Sequence, residues 1–407
     1  MKRRWMYVIL AMFFTVFFLY SCTSPTPIEN NKTNEVTVTI DREGAHRDVT
    51  LVVAQDGLNG EWKELKGSGG IYKFTVNDPD GVYSIVAVDE ETNSDHFHTK
   101  LFHSTLAEAR TVNLELWPDD TDFATLTVNV PTAYATENVS VFFLKHHAPN
   151  SWLEDSSTTV NIPKGKGTLV AIISDRDSDS PVKVYIKRDF NFQASGSLTI
   201  SSSDLKNPAE DITDDEITYF WLLDKTLVPG HLNWNMEIPE DVMNSTDKYM
   251  AEYLDWEDDI FISWWKVTRD VPVTIKPEVT ELEPATTTIT ATAVENNLPK
   301  VTFSPYVSTI SDYTTRYYNF DISKKVTIED YTYQSETHTI TLTPGYLAAA
   351  GNVYMFPDID LASWEEYKPT ADYVIQSLGI CLSPNTIDEM NSLKLGSEWT
   401  IFYSYLD

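Results

Sequence analysis

The chain has 407 residues, 42% of them hydrophobic and 12% aromatic, which is enough for two to four packed domains and rules out global disorder. It carries 61 acidic against 30 basic residues, a formal net charge of −31. So acidic a surface repels phosphate backbones and anionic headgroups, which excludes nucleic acid as a partner and an electrostatic seat on a membrane.

The chain opens with Lys2, Arg3 and Arg4, followed by an uncharged, largely apolar run from Trp5 to Tyr20. That run is short for a bilayer span, which takes about 20 residues, and suits the apolar core of an export signal. It ends in Leu19-Tyr20-Ser21-Cys22. Leu19, Ser21 and Cys22 resemble the lipobox of bacterial lipoproteins. The resemblance implies that residues 1–21 are a signal peptide, and that Cys22 is lipidated as the mature N-terminus. An uncleaved signal-anchor is the alternative. Residues 22–34 include Pro25, Pro27, Asn30 and Asn31 and read as a flexible tether. The other cysteine, Cys381, sits in an apolar context and reads as a small buried hydrophobe, so stability must come from core burial without a disulfide.

The mature part reads as all-β. Val36-Thr37-Val38-Thr39-Ile40 alternates as a half-buried strand does, and Leu126-Thr127-Val128-Asn129-Val130 repeats the pattern. Asp48–Val53 aligns with Asn138–Phe143, and Trp62 with Trp152. After a loop difference, Tyr72 and Phe74 align with Thr158 and Val160, Val82–Asp89 with Thr168–Asp175, and Val112 and Leu114 with Leu198 and Ile200. Two copies of one module are predicted, at 35–118 and 123–206. Short strands between turn signals such as Asp56-Gly57 and Asp78-Pro79-Asp80-Gly81 read as antiparallel β-sandwiches, with Trp62 and Trp152 as core. The modules resemble the immunoglobulin-like or fibronectin-III-like domains of bacterial surface proteins. Pro118–Asp122 and the acidic run after Asn207 are short links, which predict a stiff, extended rod.

Residues 212–407 read as a larger, aromatic-rich, mostly-β domain, either single or two sandwiches joined near residue 295. Strand-like runs include Thr218–Leu223, Ile260–Trp265, Val271–Ile275, Tyr317–Ile322, Thr337–Leu342 and Trp399–Tyr405. Asp241–Tyr253 reads as a helix, and Ile387–Leu393 as a turn or two of helix. An unpaired aromatic segment is expected around Trp256–Trp265.

Three patterns can carry chemistry. Asp175, Asp177 and Asp179 alternate through a turn, a spacing that lets carboxylates converge on Ca²⁺; a solvated inter-strand loop explains the same residues. His96, His98 and His103 can line a transition-metal site or a polar sheet face. Trp256, Trp264 and Trp265, beside Asp255 and Glu257–Asp259, offer aromatic faces for sugar C–H groups and carboxylates for hydroxyls; a strand buried on both faces explains them equally. No nucleophile elbow, phosphate loop or zinc-protease motif is present. The expected protein is a non-enzymatic, lipid-anchored envelope protein of binding or adhesive type, attached to the membrane through its acyl chains, with an envelope protein or glycan as partner and no cofactor unless Ca²⁺. The alternative is a polysaccharide-binding lipoprotein using Trp256, Trp264 or Trp265. An exported hydrolase ranks third.

Overall fold

The computed structural model describes residues 34–90, 97–116, 122–153, 155–209, 212, 216–228, 236–257, 260–280, 289–295, 298–328, 331–369 and 373–405. The leader, Cys22 and His96 lie outside the described residues. The chain is all-β and built from sandwich-like sheets.

The first eight strands are β1 (Glu35–Arg42), β2 (Ala45–His46), β3 (Leu51–Asp56), β4 (Trp62–Glu64), β5 (Ile71–Thr75), β6 (Val82–Glu90), β7 (Phe97–Thr105) and β8 (Thr111–Glu115). β1 lies between an antiparallel β5 and a parallel β8, and the facing sheet runs β4-β3-β6-β7. Next come β9 (Phe123–Asn129), β10 (Asn138–Phe143), β11 (His146–Trp152), β12 (Ser157–Pro163), β13 (Gly165–Ser174), β14 (Pro181–Phe192) and β15 (Gly196–Thr199). They repeat the plan: β9 between antiparallel β12 and parallel β15, facing β11-β10-β13-β14.

Register supports most of the sequence alignment. Val38 pairs with Tyr72 and Val112, as Val128 pairs with Thr158 and Leu198. One equivalence is corrected. Val52 and Ala54 stand opposite Ala87 and Ile85, as Val139 and Val141 stand opposite Ile173 and Ala171. Leu51–Asp56 is therefore the counterpart of Asn138–Phe143, and Asp48–Val53 is not. An odd shift moves every side chain to the other face, so Leu51 and Val53 point away from their own sandwich.

The C-terminal region contributes β16 (Ile217–Leu223), β17 (Thr226–Val228), β18 (Lys248–Glu257), β19 (Ile260–Thr268), β20 (Ile289–Glu295), β21 (Leu298–Phe303), β22 (Thr314–Ile328), β23 (Tyr331–Leu342), β24 (Val353–Met355), β25 (Tyr373–Ser383) and β26 (Glu398–Tyr405). Its short helices are α1 (Pro277–Thr280), α2 (Pro344–Ala349) and α3 (Ile387–Asn391). Thr386 and Glu389 form a capping box on α3, which satisfies two helix-end donors reciprocally.

The expected rod is not what forms. β23 pairs in parallel with β7, from Glu336 opposite Phe97 to Leu342 opposite His103. The result is one twelve-stranded sheet, β17-β16-β18-β19-β26-β25-β22-β23-β7-β6-β3-β4. A free β7 edge would expose a row of unpaired amides and carbonyls, and β23 satisfies them. Both faces of β6 are buried in consequence. Tyr83, Ile85 and Ala87 fill the core of the first sandwich, while Val82, Val86 and Val88 face a second core. That second core also takes Phe142, Val170 and Ile172 from the second sandwich and Tyr219, Trp221, Phe320 and Ile340 from the C-terminal strands. Its sheet β20-β21-β24 contributes Val301, Phe303 and Tyr354 to the same core. At roughly 1.5–3 kcal/mol for each large apolar side chain buried, this shared core outweighs anything a short linker could do to hold the modules apart.

Polar contacts lock the same arrangement. Asp122, at the end of the expected linker, accepts from Arg42 and Arg47 at 3.1 Å each. Arg42 also pairs with Asp89. Lys145, just past β10, reaches Asp41 at 3.1 Å and Glu115 at 3.0 Å, with all three side chains buried. Across the β7–β23 seam, half-buried Lys100 donates to Thr339 at 3.2 Å, and Asp321 lies opposite Thr339 on β22. Burial pushes the Lys100 ammonium down and the Asp321 carboxyl up, both toward neutrality.

Three further expectations are corrected. Asp241–Tyr253 is a turn running into β18 and not a helix. Val271–Ile275 is not a strand: Pro272 has no ladder donor, and the segment is bends and coil. Trp256–Trp265 is not an unpaired segment, because β18 and β19 form a hairpin inside the sheet, with β16 on one side and β26 on the other.

Candidate functional site

The residues singled out by sequence do not assemble into a site. Trp264 is 0% and Trp265 1% exposed. The Trp264 indole donates to Glu398 at 3.1 Å, and Trp265 stacks on Trp399 with ring centroids 6.4 Å apart. Neither presents a face to a ligand, which corrects their expected role in sugar stacking: β19 lies inside the sheet and is covered on both sides. Only Trp256 keeps an outward surface, 37% exposed, against Phe261.

In the aspartate turn the Asp175 and Asp179 carboxylates are engaged within the loop and with its neighbours. Asp175 Oδ1 accepts from the amides of Asp177 and Ser178 and from the Ser178 hydroxyl, so its carboxylate caps its own loop. These bonds hold the Asp175 carboxyl below its usual range. Asp179 meets Asn138 at 3.4 Å. Among the described residues no group of three or more His, Cys, Asp or Glu is placed to hold a metal ion. The histidines divide as well: His146 faces Glu43 at 3.7 Å, His147 stacks on Phe142, and His103 is buried. Cys381 is fully buried, and desolvation pushes its thiol up to about 12, which makes it inert.

A concave surface with an aromatic lining lies where the first sandwich meets the C-terminal strands. It is a cleft of about 650 Å³, within the usual range for ligand pockets. One wall is the loop from β3 to β4. Asp56 Oδ1 and Oδ2 receive the amide of Asn77, and Oδ1 that of Asp78; burial pushes its carboxyl up, but these bonds together outweigh it, hold the carboxyl low and pin the loop. Gly57 turns the chain at φ 79°, where a Cβ would come within 2.8 Å of Asp78. Gln55 donates to the Gly60 carbonyl at 2.8 Å and pairs with Trp62 across the hairpin. Trp62 is half-buried, with one part against the core and one part lining the cleft.

The opposite wall is α2, β24 and the segment after it, including Tyr346, Met355 and Phe356. Glu108 of the first sandwich fastens this wall, accepting from the Gly345 amide at 2.7 Å and the Thr343 hydroxyl at 2.5 Å. Thr343 in turn caps α2 by accepting from the Tyr346 amide. On the rim Lys368 bridges Asp358 at 3.1 Å and Glu365 at 3.0 Å.

His103 lies at the floor, 1% exposed. Its ring packs at 4.8 Å on Tyr346 and edge-on to Tyr354 at 5.3 Å. Nδ1 meets the Ser84 hydroxyl at 2.7 Å, while Nε2 has no hydrogen-bond partner among the described residues. Burial pushes its pKa down to about 3, so the ring is neutral at physiological pH. Sequence reasoning placed Trp62 in the core and His103 among metal candidates. No local signal marked the cleft, because its second wall reaches the first module only through the β7–β23 pairing.

No family model matches the chain, and no curated protein is similar to it. Among solved structures the chain is similar to the Bacillus anthracis TIE protein, at 11% identity and TM-score 0.17, over 58% of this chain and 45% of that one. It is also similar to a candidate cell adhesion protein of Bacteroides fragilis, at 8% identity and TM-score 0.15, over 46% of this chain and 89% of that one. The chain thus spans under half the length of the first, and neither likeness assigns it a function.

Proposed function

We propose that the protein is a non-enzymatic, lipid-anchored component of the bacterial cell envelope that works by binding. The address rests on Leu19, Ser21 and Cys22, with an acidic chain behind them that has no electrostatic hold on anionic lipid, so acyl chains on Cys22 supply attachment. The observation that carries the binding reading is the cleft between β4 and α2, a pre-formed concave surface with an aromatic wall and a polar rim. Its two walls come from segments far apart in sequence and are tied by Glu108, so the surface is held rigid before any ligand arrives.

The test is mass spectrometry and membrane sedimentation of the native product, beside Cys22→Ala. A fatty-acylated Cys22 at the N-terminus that pellets with membranes, and loss of both in the variant, is the expected result. An intact Met1 with no acyl group on the wild-type protein overturns the anchoring.

A further inference from the structure

The cleft described above combines three features that constrain its ligand. Its aromatic wall presents half-buried Trp62. Among the described residues its rim offers no free cation, because Lys368 is held by Asp358 at 3.1 Å and Glu365 at 3.0 Å. Its floor carries the buried His103, whose Nε2 has no hydrogen-bond partner among the described residues. Leaving a buried polar atom without a partner costs about 1–3 kcal/mol, and a ligand hydroxyl recovers that cost.

We propose that this cleft is a binding site for a neutral saccharide, one ring stacking its C–H face on Trp62 while a hydroxyl of the same chain meets Nε2 of His103. The inference deepens the binding reading above and rests on it, adding the ligand class. A sugar offers what the lining asks for. It has an apolar face for an indole, hydroxyls that both donate and accept, and no charge to be balanced. Neutral imidazole serves either polarity, since Nε2 donates or accepts according to how the Ser84 hydroxyl meets Nδ1 at 2.7 Å. Exposed Asn59 at the lip adds a side-chain amide, which bonds a hydroxyl through both its oxygen and its nitrogen. An anionic ligand gains nothing here, because Lys368 is already held by two carboxylates.

The experiment is a glycan array probed with the full-length protein in detergent micelles, carrying neutral glucan, mannan, xylan and chitin fragments beside acidic glycans, with a random-peptide array run in parallel. Hits are then titrated by biolayer interferometry. Neutral fragments are expected to bind, and Trp62→Ala to weaken binding by about tenfold or more. Trp256→Ala, far from the cleft in the chain and on the β18–β19 hairpin, is expected to leave binding unchanged. If near-UV circular dichroism shows that Trp62→Ala has not folded, Asn59→Ala carries the test, with an expected loss of several-fold. The proposal is overturned if no neutral fragment binds, if only peptides bind, or if the folded Trp62→Ala or Asn59→Ala protein binds like wild type. Each of these failures with Cys22 still acylated refutes the saccharide and leaves the anchoring intact.

Discussion

Lys145→Ala removes the one cation from a buried group of three. Lys145 lies 3.1 Å from Asp41 Oδ1 and 3.0 Å from Glu115 Oε1, and the three side chains are 7%, 3% and 5% exposed. Two carboxylates share one ammonium, and burial together with the Asp41 charge keeps the Glu115 carboxyl well above its usual range despite Lys145. Without Lys145 the same carboxylates are buried and uncompensated, which costs about 3–5 kcal/mol. The pH dependence follows from the sign. Because the folded state holds the Glu115 proton more tightly than the unfolded state, its contribution is fully present below the ordinary value of 4.5 and is lost as pH rises through the raised one. Removing the ammonium raises that value further, so the deficit of Lys145→Ala is largest at alkaline pH and narrows as the pH falls toward 4.5. Urea titrations followed by tryptophan fluorescence, repeated across pH, measure both. A deficit within about 1 kcal/mol at every pH is the behaviour of an exposed pair and refutes the buried network.

Other residues of the joint and core give independent checks. Thr226 accepts from the Leu144 amide at 3.0 Å and donates to the Thr168 carbonyl, so Thr226→Val leaves a buried amide unsatisfied and costs about 1–3 kcal/mol in the same titration. Ile340→Ala, at 0% exposure on β23, costs about 2–5 kcal/mol through the cavity it opens; a neutral outcome places β23 outside the shared core. In iodide quenching, Trp256→Phe is expected to remove an accessible fluorescence component, while Trp264→Phe and Trp265→Phe leave that component in place; a quencher-accessible Trp264 contradicts its burial.

The duplicated sandwich was legible because its strands carry one apolar face. Val36, Val38 and Ile40, and Leu126, Val128 and Val130, are all buried on the expected side. The failure lay in strands buried on both faces. Ser84–Val88 and Leu169–Ile173 read as near-continuous apolar runs, and that was the sign that each sandwich has a covered outer face. A rod needs polar outer faces, and these runs have none. Asp241–Tyr253, which overlaps the start of β18, reads as a helix for the same reason: Met250 and Ala251 are consecutive and both at 0%, which erases the period of two. The same ambiguity hid the burial of Trp264 and Trp265. The cleft was not legible at all, because Trp62 and Tyr346 come to line one cleft only through a parallel pairing that no local pattern encodes.

Amide hydrogen exchange at 97–105 and 336–342 tests the fusion of the first sandwich to the C-terminal sheet most directly. The β7–β23 ladder predicts slow exchange in both segments, lost together under increasing urea. Rapid exchange across 336–342 while β3 and β6 stay protected would mean that the two regions are separate bodies, and would contradict the single sheet.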